Sequence, residues 1–175
     1  MSRQTQPEID SAEICERLVG ITPIYLQNFV QRGRGRYGLK ASAQAGKWRE
    51  RRRLFSRDDV FGIALVWLLF ESGLRSDPII RILKEIAGTK QPKANLAAKK
   101  LLESQAEYLV VVRQPRGPTK TPHATPGQET TTVTQAGAVE PRGWNPAAVE
   151  LLIPVGQKFR DIERRLEILF PPQGA

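Results

Sequence analysis

The chain has 175 residues, with 27 Lys and Arg against 18 Asp and Glu, for a formal charge of +9. That length is room for one ordinary domain or two small ones, and the basic balance points to an acidic partner, nucleic acid or anionic membrane, without choosing between them. With one cysteine, Cys15, and one histidine, His123, an intramolecular disulfide is excluded and no cysteine and histidine cluster exists to hold zinc.

Taken in chain order, Met1 to Glu16 is polar, carries Glu8, Asp10 and Glu13, and lacks the basic-then-apolar order of a secretory signal. A cytoplasmic protein is expected. Ile14, Cys15 and Leu18 share one face of a short first helix that Asp10 or Ser11 can cap and Gly20 ends. Thr22 and Pro23 then supply a capping hydroxyl and a residue whose fixed φ suits a first helical turn, so a second helix starts at once. Its core face is Leu26, Phe29 and Val30. The opposite face holds Ile24, Tyr25, Gln27, Asn28 and Gln31.

Ten cations come next between Arg32 and Arg57, namely Arg32, Arg34, Arg36, Lys40, Lys47, Arg49, Arg51, Arg52, Arg53 and Arg57, with Glu50 the only acid among them. Ser56 and Asp59 have the spacing of a capping box at the head of an apolar helix from Val60 to Glu71, which Ser72 and Gly73 stop. The longest uncharged apolar run, Val60 to Phe70, is well short of the roughly 20 residues that span a bilayer as a helix, so it reads as a core helix and no membrane is expected. Asp77 and Pro78 repeat the cap-and-proline signal before a helix with the stripe Ile79, Ile82, Leu83 and Ile86, ending near Gly88. Lys93 to Glu103 permits a fifth, more exposed helix that connects the first four to the C-terminal part of the chain.

Tyr108 to Val112 reads as a strand, apolar on both faces and in need of cover. Pro115, Pro118, Pro122 and Pro126 make 114–128 a mobile loop by composition. Thr130 to Thr134 and Val149 to Val155 are two further strands, and Gln157 to Leu169 is an amphipathic helix with Phe159, Ile162, Leu166 and Leu169 on its apolar face. The fold class is therefore α+β, with a helical N-terminal domain at 11–88, a connecting helix at 89–104, and a small module of three strands and a helix at 105–170.

The stretch from Ile14 to Ile86 resembles the winged helix-turn-helix DNA-binding domain of MerR-type regulators. The residues that carry the resemblance are Leu18, Gly20, Ile21, Thr22, Pro23, Leu26, Phe29 and Gly33, then Arg52-Arg53-Leu54-Phe55-Ser56-Arg57-Asp58-Asp59-Val60 at the end of the wing. It covers under half of the chain. Gln27 and Asn28 stand where that family usually has an Arg-Tyr pair, Glu16 replaces a small residue, and the segment from Gly33 to Arg53 is several residues longer. No long heptad helix comes after Ile86, so the coiled coil through which such regulators dimerise is missing, as is any cysteine cluster for metal sensing.

The resemblance implies a DNA-binding regulator whose reading helix is Thr22 to Arg32. Gln27, Asn28 and Gln31 have side chains able to pair with adenine edges in the major groove, and Ile24 or Tyr25 can touch a thymine methyl. Arg34, Arg36, Lys40, Lys47, Arg49, Arg51, Arg52 and Arg53 would lie along phosphates or enter the minor groove. For each of these the plainer alternative is a solvated side chain. Trp48 and Tyr37 either anchor the wing or pack on the domain's own core. Asp58 and Asp59 read as helix-start charge. With no nucleophile and base, phosphate loop or metal set, neither an enzyme nor a cofactor is expected. The C-terminal module is expected to form a homodimer or bind a partner, the alternative being that it packs on the N-terminal domain. Two other functions compete: an architectural or recombination accessory protein that bends DNA, and a protein-interaction adaptor acting through the C-terminal module.

Overall fold

The computed structural model describes residues 9–32, 36–41, 43–45, 52–114, 130–136 and 149–171. Over these the chain is mixed helix and strand, with two small antiparallel sheets. Most of the expected 114–128 loop lies outside the described residues.

A two-residue strand β1 (Ile9–Asp10) leads into α1 (Ser11–Glu13), which continues as a π-helical turn, Ile14–Leu18. Asp10 and Glu13 form a reciprocal capping box, so two of the amides that a helix start leaves without partners are satisfied. After Gly20, α2 (Pro23–Gln27) passes into a second π-helical segment, Asn28–Arg32. Thr22 occupies the cap position but its hydroxyl makes no capping hydrogen bond. The start therefore rests on Pro23 and its preset φ, not on the threonine side chain.

Strands β2 (Ala43–Ala45) and β3 (Arg52–Phe55) form a hairpin, and β1 pairs with the other edge of β3, giving the order β1-β3-β2. Ile9 lies opposite Phe55, and Gln44 opposite Arg53. β3 delivers directly into α3 (Arg57–Glu71), whose N-cap Ser56 forms the expected capping box with Asp59. Asp59 is almost fully buried. Its carboxylate accepts from the Ser56 amide and hydroxyl at 2.9 Å each and from Asn95 Nδ2 at 2.6 Å. Hydrogen bonds to a charged group contribute more than neutral ones, so Asp59→Ala is expected to cost about 3 kcal/mol, measured by urea denaturation.

α3 is buried on nearly every side, as an almost uninterrupted apolar run requires, and is the central helix of the core. α4 (Ser76–Ala87) buries Ile79, Ile82, Leu83 and Ile86, the stripe read from the sequence. Its start differs from the expected one. Arg75 is the N-cap and Asp77 and Pro78 lie inside the first turn, where a missing proline N–H costs no helical bond. α5 (Ala94–Glu103) also differs from the exposed connector expected of it: Ala94, Ala97, Ala98 and Leu101 are buried. Small side chains let it approach α3 so closely that Gly62 faces the backbone and side chain of Asn95, with no space for a Cβ.

The second sheet has β4 (Tyr108–Gln114) in the middle, flanked by β5 (Thr130–Ala136) and β6 (Val149–Ile153), all antiparallel. β6 ends two residues short of the expected Val155. Pro154 interrupts it, and α6 (Val155–Leu169) begins at once, held to the start of the sheet by a Gly156 N–H donated to the Glu107 carbonyl at 3.0 Å. Arg160 hydrogen-bonds Glu107, and that bond holds the Glu107 carboxyl below its ordinary range.

Leu109, Val111 and Ile153 from this sheet, and Phe159, Ile162 and Leu166 from α6, join the buried residues of the Ile14–Leu18 turn and of α2 to α5 in one contiguous apolar cluster. α6 makes the contact specific. Phe159 meets Phe61 edge-on at 5.5 Å, Lys158 Nζ donates to the Val19 carbonyl at 3.1 Å, and Arg165 donates to the carbonyls of Arg17 and Leu18. Cations thus reach the exposed carbonyls where the first helix ends, its negative pole. No helix among the described residues is long and apolar enough to cross a membrane.

Candidate nucleic-acid interface

α2 and its π-helical extension are fixed from below by Leu26 and Phe29, both buried. Phe29 belongs to a cluster of rings with Tyr37, Trp67 and Phe70, at centroid distances of 5.5, 6.3 and 6.1 Å respectively. Such contacts add to apolar burial and orient the helix as a rigid body.

On its outer face Ile24 is 70% exposed, the most solvent-open large apolar residue of this helix. Tyr25, expected on the same open face, is only 37% exposed, because its ring lies 5.1 Å from Trp67 and 5.2 Å from Phe70. The large rings beneath it cover part of its surface. Thr22 and Gln27 are exposed and Asn28 is half-buried. Gln31 and Arg32 close the helical segment.

Gln27 and Arg53 are far apart in sequence, yet both line one open groove of about 710 Å³ between the first helix, α2 and β3. Cys15, Leu26 and Phe55 also line it, and Asp10 and Glu16 bring acid to its side. The groove is of mixed charge, with Arg53 beside Asp10 and Glu16. Burial, then the charge of Glu16, pushes the Cys15 thiol up, which keeps it protonated and poorly nucleophilic.

Arg36 reaches α4, where its guanidinium pairs with Asp77 at 3.1 Å. Both side chains are well exposed, and such a pair contributes little to stability. Lys40 is exposed. Arg52 lies in β3 opposite Ala45. Arg34, Lys47, Arg49 and Arg51 lie outside the described residues, as does Trp48.

Tyr37 is buried, in keeping with the second of its two sequence readings. Its hydroxyl is 3.0 Å from Ser76 Oγ, and its carbonyl accepts from the Ala94 N–H at 2.9 Å. Beside it Gly38 has a φ of +70° and lies against the backbone of Pro92 and Lys93, so that position needs a residue without a Cβ on both counts. One residue therefore ties the chain that leaves the helix pair to α4 and α5. Sequence carried no sign of this junction beyond an aromatic beside a glycine.

Among the described residues no group of three or more His, Cys, Asp or Glu side chains is placed to hold a metal. No family model matches the chain, and no curated protein matches it significantly.

Proposed function

We propose that this chain is a DNA-binding transcriptional regulator, without catalytic chemistry, that reads a duplex through α2 and its extension and grips phosphates with the adjoining basic hairpin. In this reading residues 11–88 act as a winged helix-turn-helix of the MerR type, with β2 and β3 as the sides of the wing. The observation that carries it is an order of parts. Two short helices joined at a tight turn are succeeded by an antiparallel hairpin, and the sequence places ten cations against one acid across that hairpin and its flanks.

The division of labour follows from chemistry. Gln27, Asn28 and Gln31 carry the paired donor and acceptor that adenine edges require, and Ile24 offers an exposed methyl surface for thymine. Arg36, Lys40, Arg52 and Arg53, with Arg34, Lys47, Arg49 and Arg51 of the same basic run in the sequence, act on the phosphates, supplying affinity without base identity. The C-terminal module serves as the homodimer contact that presents two such domains to two half-sites. Its support is β6, an edge strand with Leu152 57% exposed.

Selection from random duplex DNA with sequencing of the bound fraction tests the reading. Enrichment of one motif, repeated as an inverted pair, is expected. Recovery of unenriched sequence would remove the specificity, and a bending assay on the bound duplex would then examine the architectural alternative. Enrichment of a single, unrepeated motif would remove the dimer and leave the reading helix.

A further inference from the structure

The Tyr37 junction assembles a set of cations that no run of sequence contains. Gly38 lies against Pro92 and Lys93, and the Tyr37 carbonyl is bonded to the amide of Ala94. Lys40, two residues beyond Gly38, is thereby brought to the turn between α4 and α5, which holds Lys90 and Lys93. All three side chains are exposed. Among the described residues none of the three forms an ion pair. The nearby acid Asp77, at the start of α4, is already held by Arg36.

The place of this cluster relative to α2 gives it a function. Arg53 shares its groove with Pro23, Leu26 and Gln27, in the α2 part of the helix. The Tyr37 junction instead packs on Phe29, in the π-helical extension. Cations therefore flank two different stretches of the same helix. A helix seated in a major groove has a sugar-phosphate backbone on either side, and phosphate contacts on both sides set its register.

We infer that Lys40, Lys90 and Lys93 form a second phosphate-binding surface for the same duplex, beside the Phe29 stretch of the reading helix, whereas Arg53 lies beside its Pro23–Gln27 stretch. The inference rests on the DNA-binding function proposed for the chain. It adds two residues, Lys90 and Lys93, far from the basic run, and gives α5 a part in recognition beyond packing on α3. Each lysine acts by displacing counterions condensed on the duplex, so the contribution is independent of sequence and visible in the dependence of affinity on salt.

The experiment compares the unaltered chain with the triple variant Lys40→Gln, Lys90→Gln, Lys93→Gln, and with the triple Lys→Arg variant, on a duplex of random sequence. Thermal unfolding of each confirms that the folds are equivalent. The plot of log affinity against log salt is expected to be shallower by about 3 in the Gln variant, at roughly 0.9 per lost contact. A fourfold rise in salt then costs the unaltered chain about fortyfold more affinity than the variant. The Arg variant keeps the original slope. An unchanged slope in the Gln variant, with salt-sensitive binding by the unaltered chain, overturns this inference alone. Absence of salt-sensitive duplex binding by the unaltered chain overturns both this inference and the DNA-binding function beneath it.

Discussion

Phe159→Ala is expected to destabilise the chain by about 3 to 5 kcal/mol and to loosen its N-terminal and C-terminal parts together. Phe159 is buried on α6 and meets Phe61 of α3 edge-on. Removing its ring leaves a cavity between the last helix and the central one, where close packing on both sides limits collapse. Domains of this size are commonly stable by only about 5 to 15 kcal/mol, so the loss is a large fraction of the whole. Because one apolar cluster runs through both parts, urea denaturation monitored by circular dichroism and by tryptophan fluorescence should show a single coincident transition moved to lower denaturant. Two separate transitions, only one of them displaced, would contradict a shared core. Arg165→Ala, which removes donors to the Arg17 and Leu18 carbonyls, should act in the same direction and by less.

Tyr37→Ala should have the second largest effect, about 3 to 5 kcal/mol, the range for truncating a large buried ring. Its ring packs on Phe29 at 5.5 Å, and its hydroxyl is paired with Ser76. Tyr37→Phe keeps the ring and removes the hydroxyl, and should cost about 1 kcal/mol. The contrast between the two variants separates packing from hydrogen bonding. It also has a functional side. The ring seats on Phe29 the segment whose backbone meets Ala94 and Lys93, so under the proposed second phosphate surface Tyr37→Ala should weaken duplex binding even at temperatures where the chain stays folded, and Tyr37→Phe should leave it close to unaltered. Equal binding by all three chains would show that the junction has no part in recognition.

The parts of the fold that were legible in the sequence are those set by local chemistry. The capping box of Ser56 and Asp59, the stripe of Ile79, Ile82, Leu83 and Ile86, and the β-branched run in β4 each declare an element within one window. Gly20, Gly73 and Gly88 adopt positive φ at the expected helix ends. The illegible parts depend on distant partners. β2 consists of Ala43, Gln44 and Ala45, a poor strand by propensity, and exists because β3 supplies its hydrogen bonds. β1 is two residues long and is likewise defined by its pairing. The alanines of α5 carried little hydrophobic signal, yet their small size is what allows the close approach at Gly62. The π-helical turns had no local signature at all.

The site divides the same way. A run of cations beside a helix pair is visible in the bare sequence, and so is a polar face containing Gln27 and Asn28. Their arrangement is not, because Gln27 and Arg53 come to line one groove, and Gly38 comes against Lys93, only after the sheet and α5 are in place. Tyr25 shows the limit of a helical-wheel reading. The wheel sets it opposite the core, and it is exposed there, but three neighbouring rings cover part of it.

The central claim is recognition of duplex DNA with sequence preference, and the most direct measurement is the affinity for the selected duplex and for a scrambled one across a range of salt. Expected is steep weakening of both with salt, as several phosphate contacts require, and a preference for the selected duplex of about a thousandfold or more at physiological salt. Equal affinity for the two duplexes, or affinity that does not change with salt, would contradict it.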